Sequence, residues 1–132
     1  MELQNQFADL DTSTKLKELG FNEPCLKYYL DTHVNRSAKN YTGQWNGNGL
    51  KTSIPLWSQV KEWLWQKHKI FVTSFKWASD KLGWDYSIVD KNEDVPPYMA
   101  KEDHHLDSPI LAEVEGIKKA IEYLHSQLHN IS

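Results

Sequence analysis

Asp103, His104 and His105, with Asp107 two residues further on, are the only run in the chain that gathers metal-capable side chains. Imidazoles and carboxylates hold zinc or manganese when three or four of them converge on one point. Adjacent side chains in an extended segment diverge, so this run needs distant partners before it can hold an ion. His125 and His129 stand at i, i+4 on a predicted helix, but no acid lies between them in the HExxH manner. These histidines read as surface groups. A small metal-dependent hydrolase built on Asp103, His104 and His105 is the alternative they leave open.

Other chemistries have less behind them. Gly43, Gly47 and Gly49 follow no strand and lead to Pro55, not to the lysine-bearing helix start of a phosphate loop. Cys25 is the one cysteine, so no intramolecular disulfide can form. No histidine or basic cluster near it in sequence would lower its pKa, and it reads as a small buried residue. No catalytic residue, cofactor or metal ligand is assigned.

What remains is aromatic and cationic. Four of the six tryptophans, Trp57, Trp63, Trp65 and Trp77, fall between Ile54 and Trp77. At ~100° per residue, Leu56, Trp57, Val60, Trp63 and Leu64 share one helical face. Trp65 points the other way, between Lys61 and Lys69, and needs a cover. Trp45, in a long polar stretch, either pins that stretch to the body or makes contacts outside it. Trp45, Trp65, Lys61 and Lys69 are therefore the candidate interaction surface. Charge is unevenly placed as well. Six lysines between Lys51 and Lys81 face two acids, while nine acids between Asp85 and Glu115 face two lysines. This patterning fits solvated faces of opposite sign, or a basic patch for an acidic partner, or head-to-tail self-association.

Local signals define the elements that must hold these residues. Asp9 or Asp11 caps a short helix to about Leu19, Gly20 suits its left-handed stop, and Phe21 folds back. Cys25 to Leu30 reads as a strand at a sheet edge. Residues 31–53 read as a long polar loop. A helix from about Pro55 to His68 runs into a strand from Ile70 to Trp77, which pairs with a second from Trp84 to Val89. Their apolar face is predicted to carry Phe71, Phe75, Trp77, Trp84, Tyr86 and Ile88. Residues 90–107 form an acidic connection, with a short third strand near Tyr98. Ser108 and Pro109 start a final helix. Its apolar stripe is Ile110, Val114, Ile117, Ile121, Leu124 and Leu128, flanked by the small residues Ala112, Gly116 and Ala120.

Lys17 to Cys25, Ile54 to Trp63 and Ala120 to Leu124 together resemble small uncharacterised proteins encoded by phages and prophages of gut bacteria. The resemblance implies a phage-related origin and an intracellular setting, with no activity and no site residues attached. The helix–strand–strand–helix order of the last eighty residues is also similar to that of double-stranded-RNA-binding domains. Those domains begin the last helix with a lysine cluster, where this chain has Pro-Ile-Leu-Ala-Glu-Val-Glu.

The fold class expected is α+β. One domain spans residues 1–132: a small antiparallel sheet of two or three strands, plus an N-terminal edge strand, packed on two amphipathic helices with a short helix beside them. The function expected is a non-enzymatic protein-interaction module of phage origin, with self-association as a homodimer open to it and an unknown protein or a second copy as partner. A nucleic-acid-binding domain using Lys61, Lys67, Lys69, Lys76 and Lys81 with the hairpin aromatics is the rival. No apolar run nears ~18 residues and no secretion signal opens the chain, so no membrane role is expected and the cytoplasm is the predicted location.

Overall fold

The computed structural model describes residues 6–30, 33–36, 43–47, 51–76, 83–91, 98–99 and 106–130. The fold is α+β, with three α-helices and two antiparallel sheets among these residues. By contacts the chain divides into two units: Met1–Gln59 with Ile121–Ser132, and Val60–Ala120.

In the first unit, helix α1 (Leu10–Glu18) starts where the Asp9 carboxylate accepts the Thr12 N–H at 2.8 Å. It ends in a Schellman turn. Gly20, at φ 91°, donates to the Lys17 carbonyl, and Phe21 donates to the Leu16 carbonyl. Phe21 and Leu16 are both buried, so the turn is closed by apolar contact as well as by hydrogen bonds.

Strands β1 (Lys27–Leu30), β2 (His33–Arg36) and β3 (Lys51–Ile54) form an antiparallel sheet in the order β2-β1-β3. The strand expected at an edge is thus the central one. Tyr29 pairs with Val34 on one side and with Thr52 on the other. β2, and β3 up to Ser53, lie within the stretch read as a loop. Their sequences, His-Val-Asn-Arg and Lys-Thr-Ser-Ile, lack apolar alternation. Backbone pairing to β1 and the burial of Ser53 and Ile54 hold them instead.

Polar side chains complete this unit. Asn46, in a short 3-10 turn (Trp45–Gly47), accepts the Ser53 N–H at 2.7 Å, and its own N–H donates to the Ser53 hydroxyl at 3.1 Å. Its side-chain amide donates to the Phe21 carbonyl at 2.6 Å. One asparagine therefore ties the turn to β3 and to the end of α1. On the other side of β3, Phe7 bridges to Leu56 and the Ala8 N–H donates to the Pro55 carbonyl. At the chain's other end, His125 contacts the Glu18 carboxylate at the end of α1.

Helix α2 (Trp57–His68) begins two residues later than Pro55 suggests. Leu56 is its cap: the Gln59 side chain reaches back to accept the Leu56 N–H at 3.0 Å, as the third residue of a capping box does. Thr52 and Ser53, just before Pro55, belong to β3.

The second unit holds strands β4 (Ile70–Lys76), β5 (Trp84–Asp90) and β6 (Tyr98–Met99), in that order in one antiparallel sheet. Leu106 bridges to Trp84 further along β5. Helix α3 (Pro109–Asn130) follows, with Ser108 accepting the Leu111 N–H at its start. Val60, Trp63 and Leu64 of α2, Ile70, Val72, Tyr86 and Ile88 of the sheet, and Ala112, Ile117 and Ala120 of α3 form the buried interior.

Two expectations change here. The register pairs Phe71 with Val89, Val72 with Ile88 and Ser74 with Tyr86. Side chains alternate between faces, so Phe71 and Phe75 stand opposite to Tyr86 and Ile88, not beside them. The inner face belongs to the smaller Ile70 and Val72. Trp77 lies outside the described residues. In α3 the buried face centres on Ala112, Gly116 and Ala120, with Ile117 and Ile121, while Ile110 is 52% and Leu128 46% exposed. The small-residue row is what meets the sheet, because it lets the helix backbone come close.

Candidate interaction surface

The joint between α2 and β4 is a single residue, Lys69, with φ at 55°. A left-handed residue directly after a helix lets the chain reverse, and its N–H reaches back to the carbonyl four residues earlier. Here the Lys69 N–H donates to the Trp65 carbonyl at 3.1 Å. In this kind of cap the side chain of the left-handed residue packs on the residue it bonds to. The Lys69 ammonium accordingly stands 5.3 Å from the centre of a Trp65 ring.

The end of β5 closes on the same point. The Lys91 N–H donates to the Lys69 carbonyl at 3.0 Å, and the Lys91 ammonium lies 5.9 Å from Trp65. Phe71 meets Trp65 edge-on, with ring centroids 6.2 Å apart. Lys61, one helical turn before Trp65, places its ammonium 5.7 Å from the Phe71 ring. Trp65 is 41%, Phe71 44% and Val89 39% exposed, and Val89 is paired with Phe71 across the strands. Backbone geometry at one joint thus gathers three exposed apolar side chains and three lysines.

The charges are not equivalent. Lys61 is paired with Glu113 of α3 at 3.4 Å. Among the described residues, no carboxylate lies within ion-pair distance of Lys69 or Lys91. The surface is therefore close to neutral beside Phe71 and carries two ammonium groups beside Trp65. Behind it His68 is half-buried against Trp63, ring centroids 4.7 Å apart. Burial pushes the His68 imidazole below its usual pKa, with the Asp90 charge opposing.

Trp45 belongs to the first unit and has a different role. Its indole N–H donates to the Cys25 carbonyl at 2.9 Å, and its ring tilts against Tyr28 at 4.7 Å. The Lys51 ammonium lies 4.9 Å from the same tryptophan. A Cβ on Gly43 would stand 2.6 Å from the indole, which seats closely on that backbone. Trp45 pins its turn to the body.

Of the four candidates, Trp65, Lys61 and Lys69 come together, and the sequence reading missed Phe71, Val89 and Lys91. Their signal was strand parity: with Ile70 and Val72 facing inward, Phe71 and its partner Val89 must face out. Asp103, His104 and His105 lie outside the described residues. Among the described residues no three histidine, cysteine or acidic side chains are grouped so as to hold a metal, and no helix is long and apolar enough to cross a membrane. Cys25 is buried, and burial pushes its thiol up to about 12. No protein-family model, curated protein or solved structure matches the chain.

Proposed function

We propose that the chain is a non-enzymatic interaction module whose binding face is the Trp65–Phe71–Val89 corner. One observation carries this: an exposed tryptophan is held at a backbone-hydrogen-bonded joint under two ammonium groups that, among the described residues, meet no carboxylate. Tryptophan is over-represented among residues that dominate binding energy, because it buries much area at little entropic cost. The α2–β4 joint fixes Trp65 by backbone hydrogen bonds, so little ordering is needed on association. A second copy of the chain is one partner this face would accept. The resemblance to phage and prophage proteins adds a bacterial cytoplasm as the setting, and a single buried free thiol suits a reducing compartment.

The test compares the wild-type chain with Trp65→Ala/Phe71→Ala. Both side chains lie at the surface, 41% and 44% exposed, so the far-ultraviolet circular dichroism should be kept while the unfolding midpoint falls by the part of the two rings that is buried. Affinity capture from lysogenic cells should lose its specific protein in the variant. Sedimentation should show whether any self-association goes with it. Identical capture and identical sedimentation for both chains would remove the face from consideration.

A further inference from the structure

Resting on that reading of the Trp65 face, we infer that its partner is a protein segment that sets a bulky apolar side chain beside one or two carboxylates. The carboxylates would lie between the Lys69 and Lys91 ammonium groups, and the apolar side chain on Phe71 and Val89.

The face is polarised. Glu113 already neutralises Lys61, the lysine over Phe71, at 3.4 Å. At the Trp65 end, Lys69 and Lys91 stand 5.3 and 5.9 Å from the tryptophan, with no carboxylate in reach among the described residues. Two ammonium groups attracted to one indole repel each other, and an anion placed between them relieves that repulsion. Because both backbones are tied through the Lys69 carbonyl, the pair is assembled before the partner arrives. A complementary ligand is therefore negative at one end and apolar at the other.

A nucleic acid fits this arrangement less well. Single strands bind by stacking bases on open aromatic faces. Trp65 already carries two ammonium groups and meets the Phe71 ring edge-on, so a base would have to displace a lysine to stack there. A carboxylate displaces nothing. The Phe71–Val89 end, neutral and apolar, offers no second phosphate contact but does offer a shelf for an aliphatic or aromatic side chain.

The experiment is a selection from a displayed library of random peptides on the full chain, with counter-selection on Trp65→Ala/Phe71→Ala. Selected peptides should be enriched in Asp or Glu next to Leu, Ile, Phe or Trp. A labelled copy of the winning peptide should bind Lys69→Gln/Lys91→Gln more weakly by on the order of tenfold, and should lose affinity as salt is raised. Lys76→Gln, at the far end of β4, should leave binding unchanged. Oligothymidylate should not compete. Peptides selected through the face without an excess of acids, unchanged binding in the Lys69/Lys91 variant, or displacement by oligothymidylate would overturn the acidic partner while leaving the binding face standing. If no peptide distinguishes the wild type from the counter-selection variant, the binding face itself falls.

Discussion

Gly116 lies against Val72: a Cβ built on the glycine would stand 2.7 Å from the valine Cγ1 and 3.0 Å from both Cβ and Cγ of Tyr86. Helix propensity alone favours alanine there by about 1 kcal/mol. Overpacking a closed interior costs about 1 to 3 kcal/mol, and neither neighbour is the free end of a long side chain. Gly116→Ala is therefore expected to destabilise the chain, by about 1 to 2 kcal/mol in urea unfolding. In the background of Val72→Ala the added methyl has space, and the same substitution should become neutral or stabilising. A double-mutant cycle with no coupling between the two positions would show that the close approach does not limit packing.

The same contact explains which parts of the fold could be read in advance. Signals confined to a few residues were legible. Asp9 before α1, the Gly20–Phe21 stop, Ser108-Pro109 before α3 and the Trp57–Leu64 face of α2 all act through local hydrogen bonds or helical spacing. The facing of β4 was not legible, because size pointed the wrong way. Phenylalanine is the larger apolar residue, but the position that packs directly on Gly116 from β4 is filled by Val72. Strands β2 and β3 were hidden for another reason: they are polar, and depend on pairing with β1, which is remote from β3 in sequence. At the candidate surface Trp65 stood out as a misfit on its helix. Lys91 could not, since only the closing of β5 on the α2–β4 joint brings it there.

Lys69 occupies a backbone conformation that costs a residue with a Cβ about 1 kcal/mol, and a β-branched one more. Lys69→Gly relieves that cost, but gives back a similar amount through the freer unfolded chain. It is expected to leave stability within about 0.5 kcal/mol of the wild type. Lys69→Val also deletes the ammonium, yet should lose more than about 1 kcal/mol. Both variants lack the charge, so the difference between them reports the backbone alone. Equal stabilities in chemical denaturation would mean that the joint relaxes away from its left-handed geometry.

The Ser13 hydroxyl, in α1, is fully buried and has no hydrogen-bond partner among the described residues. Leaving a buried polar group unmatched costs about 1 to 3 kcal/mol, whereas alanine fills nearly the same volume and is the better helix former. Ser13→Ala should raise the unfolding free energy by about 1 kcal/mol. A loss of stability of that size would reveal a partner for the hydroxyl in solution.

His68 gives stability a dependence on mildly acidic pH. Its imidazole titrates lower in the fold than the ordinary value of 6.5, chiefly because burial disfavours the charged form. On lowering the pH, the unfolded chain takes up this proton before the folded one does. The contribution is therefore whole above pH 6.5 and is lost as the pH falls through the folded value. His68→Gln cannot titrate. The stability of the wild type relative to this variant should decline between neutrality and pH 5. A relative stability that rises instead would make the Asp90 charge, which acts in the opposite sense, the dominant influence.

Cys25 should be inert in the folded chain and ordinary outside it. The residue is 1% exposed, its Sγ donates to the Glu23 carbonyl, and burial lifts its thiol from 9.0 to about 12. Thiolate is the reactive form, so at pH 8 a disulfide-exchange reagent should release almost no chromophore from the native protein and one equivalent after denaturation. The same shift acts on stability at high pH. Because the folded value lies above the unfolded one, the contribution is complete below pH 9 and is lost as the pH rises towards 12. Burial also raises Tyr29 above its ordinary 10.0, so the wild type must be compared with Cys25→Ala. The wild type should lose stability faster than the variant above pH 9. Rapid labelling of the native thiol at pH 8, with unfolding too slow to account for it, would instead place Cys25 at the surface in solution.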